Sequence, residues 1–167
     1  MSITLEQGAE EAVTKALEDG MQNTINYIID QLRQAGEQAV KVARSVATKN
    51  GWIGSGVPYK VQTRNLTSSI GYCIVADGRI IEMSSFEALK GTDEETGKPY
   101  DGTEGSLDGK KYIKDLAAHY PQGYALILVA GMNYASYVQE LHHRDVLNSA
   151  ELIATELVNK LQAKLRK

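Results

Sequence analysis

From Asn23 to Thr48 the apolar residues keep one helical stripe: Ile25, Ile28, Ile29, Leu32, Ala35, Ala39, Val42, Ala43 and Val46 recur at threes and fours. A helix of that span is roughly 40 Å long at 1.5 Å per residue. Its stripe is stable only when laid along another apolar surface, so the rest of the chain must supply one. Asn23 or Thr24 offers an N-terminal cap, and Lys49-Asn50-Gly51 a stop. The preceding stretch LEQGAEEAVTKALEDG reads as a shorter helix ended by Asp19-Gly20. Both a break and a run-through at Gly20 remain open, because one glycine inside a helix costs only about 1 kcal/mol. Gly36, on the long stripe, marks either a close contact or a tolerated weak point.

The apolar surface comes from the middle of the chain. Residues 50–66, with three glycines and Pro58, have no steady period and read as loop. In SSIGYCIVADGRIIEMSSF, two β-like runs flank Asp77-Gly78, the strongest short-range hairpin signal, since a type I′ turn needs positive φ at both central residues. The apolar run Tyr124–Ala130 reads as a strand buried on both faces. Between them, Lys90–Lys111 is rich in Gly, Asp, Glu and Thr and is expected to be a long, flexible acidic loop. A short helix over Tyr112–Tyr120 follows it. The chain closes with an element over Tyr134–Leu141, a break at His142-His143-Arg144-Asp145, and a helix from about Leu147 to Leu165. The expected stripe of that helix is Leu152, Ile153, Leu157, Val158, Leu161 and Leu165.

The predicted architecture is α+β: a small antiparallel β-sheet packed against a long N-terminal helix and a C-terminal helix, with the acidic loop between strands. One domain over residues 1–167 accounts for it, with 90–111 as an insertion. Ile25, Ile28, Ile29 and Leu32 should meet the strand Leu126–Val129, with Leu157 and Leu161 closing that layer.

Charge and composition remove several classes of function. The net charge of −3 argues against a general nucleic-acid binder. The longest apolar run is far too short to span a bilayer, so no membrane partner is expected. The start, MSITLEQGAEEA, is acidic and lacks the apolar core of a signal peptide, which predicts synthesis in the cytoplasm. The one cysteine, Cys73, excludes an intrachain disulfide and a Cys-rich zinc site, and its place within a strand reads as a buried structural thiol. The basic end (Lys160, Lys164, Arg166, Lys167) reads as a helix C-terminus stabilised by cations.

No catalytic, cofactor or metal residue is predicted. His142 and His143 are adjacent, so their side chains diverge on a helix and oppose on a strand, and a helical two-His zinc site wants a spacing of four. They read as turn residues. A triad could be drawn from Ser68 or Ser69, His142 or His143, and Asp145, but no G-x-S-x-G elbow supports it. The glycines of GWIGSG lack the ending of a phosphate loop, and Asp93-Glu94-Glu95 lacks calcium-loop spacing.

Two blocks carry a resemblance. TRNLTSSIGY (Thr63–Tyr72), after a long amphipathic helix, resembles the T-G-x-L-x-x-S-I element of the tail-completion or head–tail joining proteins of long-tailed bacteriophages. YALILVAGMNYASYVQE (Tyr124–Glu140) followed by DVLNSAEL resembles that family's second hallmark, a strand leading into Asn-Tyr-Ala-x-Tyr-Val-Glu, a turn and a C-terminal helix. The likeness covers nearly the whole chain, with the acidic loop matched least. Arg64 stands where the family usually has glycine, Gln139-Glu140 replaces Val-Glu, and Leu-His-His-Arg-Asp replaces a Gly-Thr-Pro turn.

The resemblance implies a non-enzymatic structural protein of a phage or prophage. It would be made in the bacterial host cytoplasm and built into the virion neck or tail. Self-association into a ring is implied, with a head-completion or adaptor protein and a tail terminator or tail-tube protein as neighbours. Packaged DNA would pass close by in the channel, and an acidic loop facing that lumen would repel phosphates. Within the second block, Asn133 suits the exit from a strand. Tyr134, Tyr137 and Val138 are expected on one helical face pinning the corner to the sheet, and Glu140 is expected to bond turn N–H groups or Arg144. The rival classes are a small bacterial hydrolase using the Ser/His/Asp set and a soluble binding module outside a virion.

Overall fold

The computed structural model describes residues 8–48, 51–93 and 96–166. The two helical stretches expected at the N-terminus are one helix, α1 (Ala9–Arg44), ended by a 3-10 turn at Ser45–Ala47. Gly20 sits inside it, and Thr24 caps nothing; its hydroxyl bonds back to the Gly20 carbonyl at 3.0 Å. Only the second half of α1 is packed. Its buried face is Leu32, Ala35, Gly36, Ala39, Val42 and Ala43, whereas residues 10–24 are exposed throughout. Gly36 is a point of close approach: a Cβ there would lie 2.6 Å from two ring carbons of Tyr72.

The hairpin forms as expected from β1 (Ile70–Ala76) and β2 (Arg79–Met83). Asp77 and Gly78 both take positive φ, 47° and 78°, as a type I′ turn requires. Strand β5 (Tyr124–Ala130) pairs with the other edge of β1, giving an antiparallel sheet in the order β2-β1-β5. Its register places Tyr72 opposite Leu128 and Cys73 opposite Ile127. Side chains alternate across the pleat, so the two sets serve different layers. Tyr72, Ile74, Leu126 and Leu128 face α1 and the C-terminal helix α5 (Asn148–Leu165), meeting Leu32, Ile28, Ile29, Val158 and Leu161. Cys73, Val75, Ile127 and Val129 face α3 (Thr103–Ala117), meeting Phe86, Ile113 and Ala117. The protein is therefore α+β, with helices on both faces of a three-stranded sheet. Full burial of residues such as Ile74 and Val129 contributes about 1.5–3 kcal/mol each.

Helix α5 runs antiparallel to α1: Ala150 and Ala154 pack near Ala39 and Ala43, and Leu161 lies by Leu32. Two arginines join α1 to the sheet. Arg33 forks onto the Glu82 carboxylate at 2.6 and 2.7 Å, and Arg44 donates to the Ile70 carbonyl at 2.7 Å.

Three expectations need correction. The acidic segment does not stay loop through Lys111. It forms a two-residue ladder between β3 (Gly91–Thr92) and β4 (Pro99–Tyr100) and then enters α3 at Thr103, nine residues before the helix expected at Tyr112. Gly105, Ser106 and Gly109 begin the face that α3 buries, and a Cβ on Gly109 would come 2.5 Å from the Ser69 carbonyl oxygen. Glu94 and Glu95 lie outside the described residues. The expected α5 stripe holds in part: Leu161 is buried and Ile153, Leu157 and Val158 are half-buried, but Leu152 and Leu165 are exposed, and Ser149, Ala150 and Ala154 complete the buried face. Small residues let α5 approach α1 closely, and that decides its rotation. Finally, the stretch 50–66 does not end as loop, because a one-turn helix, α2 (Asn65–Ser68), begins within it and precedes β1.

Candidate functional site

The corner after β5 turns at Asn133 into the short helix α4 (Ala135–Glu140). Its buried anchor is Ala135, with Val138 half-buried on a cluster of Tyr59, Leu66, Met132 and Val146. Tyr134 and Tyr137, expected to pin the corner to the sheet, are instead 37% and 53% exposed. After α4 the chain folds back on itself: the Arg144 N–H donates to the Val138 carbonyl at 3.3 Å, and His143 takes φ 48°. His142 meets the Tyr137 ring edge-on at 4.9 Å. Glu140 is exposed, and the neighbouring Gln139 does the bonding, accepting from the Leu147 N–H at 3.1 Å.

Opposite this corner runs the segment from Tyr59 to Thr67. The two enclose an open cleft of about 800 Å³, whose walls are 59–67 on one side and 132–144 on the other, with Glu104 of α3 at one end. The floor is apolar (Leu66, Met132, Val138), while Tyr134, Tyr137, Lys60, Arg64, His142 and Arg144 line its sides. Among the described residues that line it are three cations, Lys60, Arg64 and Arg144, and one acid, Glu104. Arg64 is held in place: its Nε donates to the Tyr100 hydroxyl at 2.7 Å, and its guanidinium lies 5.4 Å from that ring centre. Its backbone adopts φ 58°, a left-handed conformation that glycine takes without strain. Asn65 ties the 59–67 wall to α3 by donating to Glu104 at 2.7 Å. Tyr59, beneath the floor, shares a hydrogen bond with Thr67 at 2.8 Å, and burial raises its hydroxyl pKa. Partial burial raises Tyr134 as well, so both hydroxyls stay neutral at physiological pH.

The residues considered for catalysis do not meet. Ser68 and Ser69 are buried and occupied: Ser68 Oγ accepts from the Leu89 N–H at 3.0 Å, and Ser69 Oγ donates to the Leu66 carbonyl at 2.8 Å. Asp145 is buried and fully engaged elsewhere. It accepts from the Gly56 N–H at 3.0 Å, from the Ser149 N–H at 3.1 Å, and from the Ser149 hydroxyl. It therefore ties the loop at 55–57 to the start of α5. No hydrogen bond among the described residues joins Ser68 or Ser69 to a histidine or to Asp145. Cys73 is buried in the central strand, and desolvation pushes its thiol up to about 11, away from a reactive thiolate. Asp93 accepts from the Thr96 N–H at 2.7 Å, the bond of a tight turn. Among the described residues there is no group of three or more His, Cys, Asp or Glu placed to hold a metal ion, and no helix is long and apolar enough to cross a membrane.

What the cleft offers among the described residues is a surface. Exposed aromatic side chains over an apolar floor are the kind of surface enriched at protein interfaces. Both stretches stand out in the sequence, but nothing there shows that they face each other. No family model matches the chain, and no curated protein and no solved structure matches it.

Proposed function

We propose that this chain is a non-enzymatic structural protein of the neck of a long-tailed phage or prophage, acting in an oligomeric ring that completes or joins the tail. One observation carries the reading. Parts of the two blocks that resemble the joining-protein hallmarks, Thr63–Thr67 of the block Thr63–Tyr72 and Met132–Val138 of the block Tyr124–Glu140, lie some 70 residues apart in sequence and form opposite walls of one open cleft. Residues that answered only to folding would be expected inside the core. Here the tyrosines of the second stretch point outward, which suits contact with another protein. The left-handed backbone at Arg64 supports the likeness further, because the family has glycine at that position.

In this reading the cleft and the helices flanking the sheet make the ring and neighbour contacts, while the buried sheet holds them in place. A head-completion or adaptor protein lies on one side and a tail terminator or tail-tube protein on the other, with DNA in the channel between. Mass spectrometry of purified tailed particles from a host carrying the gene tests this. The expected result is peptides of this chain at several copies per particle, in the ratio of a ring. Joined, infectious particles without the chain would refute the proposal.

A further inference from the structure

The first half of α1 has no partner among the described residues. Because α5 runs antiparallel and Leu161 already lies beside Leu32, α5 ends near Ile28 and leaves about five turns of α1 beyond it. Along that overhang Val13, Leu17 and Met21 are 54%, 64% and 66% exposed. Their spacing of four keeps them in phase with Ile28, Leu32 and Ala35, so the face that packs on the sheet simply continues into solvent. Acids accompany it: Glu10, Glu11, Glu18 and Asp19 against Lys15. An apolar stripe flanked by acids is the kind of partner that the tyrosine-and-cation cleft suits.

The two surfaces sit at opposite ends of one rod. Val46, just past the end of α1, belongs to the cluster that floors the cleft, so the cleft lies roughly 40 Å from Leu17 along the helix axis. One chain therefore cannot bring them together. We propose that the exposed half of α1 of one copy seats in the cleft of a second copy, head to tail. Leu17 and Met21 meet the Tyr134 and Tyr137 rings, and Glu18 and its neighbours face Lys60 and Arg144. The sizes agree: two turns of helix, about 10–12 Å across and 11 Å long, fill about 800–1,200 Å³, against a cleft of about 800 Å³. Met-to-ring contacts and charge complementarity favour the pairing. A contact between two different patches is heterologous, and repeats into a ring or an open filament. The inference supplies the pair of surfaces that the ring in the proposed function requires, and rests on that reading only for its setting.

The test uses purified full-length protein and two variants, Leu17→Glu/Met21→Glu on the overhang and Tyr137→Glu/Arg144→Glu on the cleft. All four side chains are exposed, and unchanged circular dichroism and melting establish that both variants fold. Sedimentation should show wild type rising above 18.3 kDa with concentration, and each variant alone staying monomeric. An equimolar mixture should form a 1:1 dimer, because one variant keeps the overhang and the other the cleft. A disulfide-trapping pair, Leu17→Cys with Tyr137→Cys, should crosslink at least tenfold faster than either variant with itself. Self-association of the cleft variant alone would mean that overhangs pair with each other, and would overturn the proposal. So would a mixture that stays monomeric, or equal trapping rates. These outcomes concern the free protein, so the virion location stands or falls separately on the particle composition.

Discussion

Gly20 and Gly36 occupy the interior of the same helix, and the same substitution should move stability in opposite directions. At Gly20 nothing lies within 4 Å of where an added methyl would stand, and the position is solvent-exposed. Gly20→Ala therefore gains only helix propensity, about 0.5–1 kcal/mol. At Gly36 the new methyl would lie 2.6 Å from carbons of the Tyr72 ring, roughly an ångström inside normal carbon–carbon contact. Tyr72 is 3% exposed on the central strand and paired with Leu128, so its ring has little room to retreat. Overpacking of this kind costs about 1–3 kcal/mol, which outweighs the propensity gain and leaves Gly36→Ala less stable by up to about 2 kcal/mol. Urea denaturation at constant m-value reads both changes directly. Adding Tyr72→Leu should relieve the clash, so that Gly36→Ala costs less in that background. Equal stabilisation at both glycines would show that α1 does not lie against Tyr72 as described, and would refute this packing.

Asp145→Ala should cost about 2–4 kcal/mol, because it strands three donors around a buried carboxylate, whereas His142→Ala/His143→Ala should cost at most about 1 kcal/mol; thermal melts compare them, and zinc retained through dialysis by wild type alone would count against the histidines as turn residues. Burial raises Cys73 from 9.0 to about 11 and Tyr72 from 10.0 to about 12. The folded state thus keeps protons that the unfolded chain releases, so this stability is fully present below about pH 9 and declines as pH rises from about 9 to 12. Denaturation midpoints that stay flat over that window would contradict the burial, as would rapid thiol labelling of the native protein at pH 8. Ile127→Ala, on the closed face toward α3, should cost about 2–5 kcal/mol, and Leu152→Ala, on the exposed side of α5, less than about 0.5 kcal/mol; reversed costs would restore the leucine stripe as the buried face.

Much of this fold is legible in the sequence because hydrophobic periodicity and turn chemistry announce it. The α1 stripe, the Asp77-Gly78 hairpin and the β5 run each bury large apolar side chains, so their periods survive in the sequence. Helix α3 is half hidden for the opposite reason. Its contact face begins with Gly105, Ser106 and Gly109, where packing depends on the lack of a side chain, and such a face looks like polar loop. The same physics rotates α5. Ala150 and Ala154 meet Ala39 and Ala43 of α1 while Leu152 faces out, and a rule that seeks leucines finds Leu161 but misses the alanine part of the buried face. The cleft cannot be read from either stretch alone. Its existence depends on the sheet bringing residue 64 and residue 137 to one end of the molecule, and the outward turn of Tyr134 and Tyr137 depends on Ala135 being the anchor.

Counting joined particles by electron microscopy tests the central claim most directly. In lysates of a host whose copy of the gene is deleted, separate filled heads and separate tails are expected. Wild-type protein supplied in trans should restore joined particles, and the folded Tyr137→Glu/Arg144→Glu variant should not. Joined particles in normal numbers without the protein would contradict a role at the neck, and full rescue by the cleft variant would contradict the cleft as its working surface.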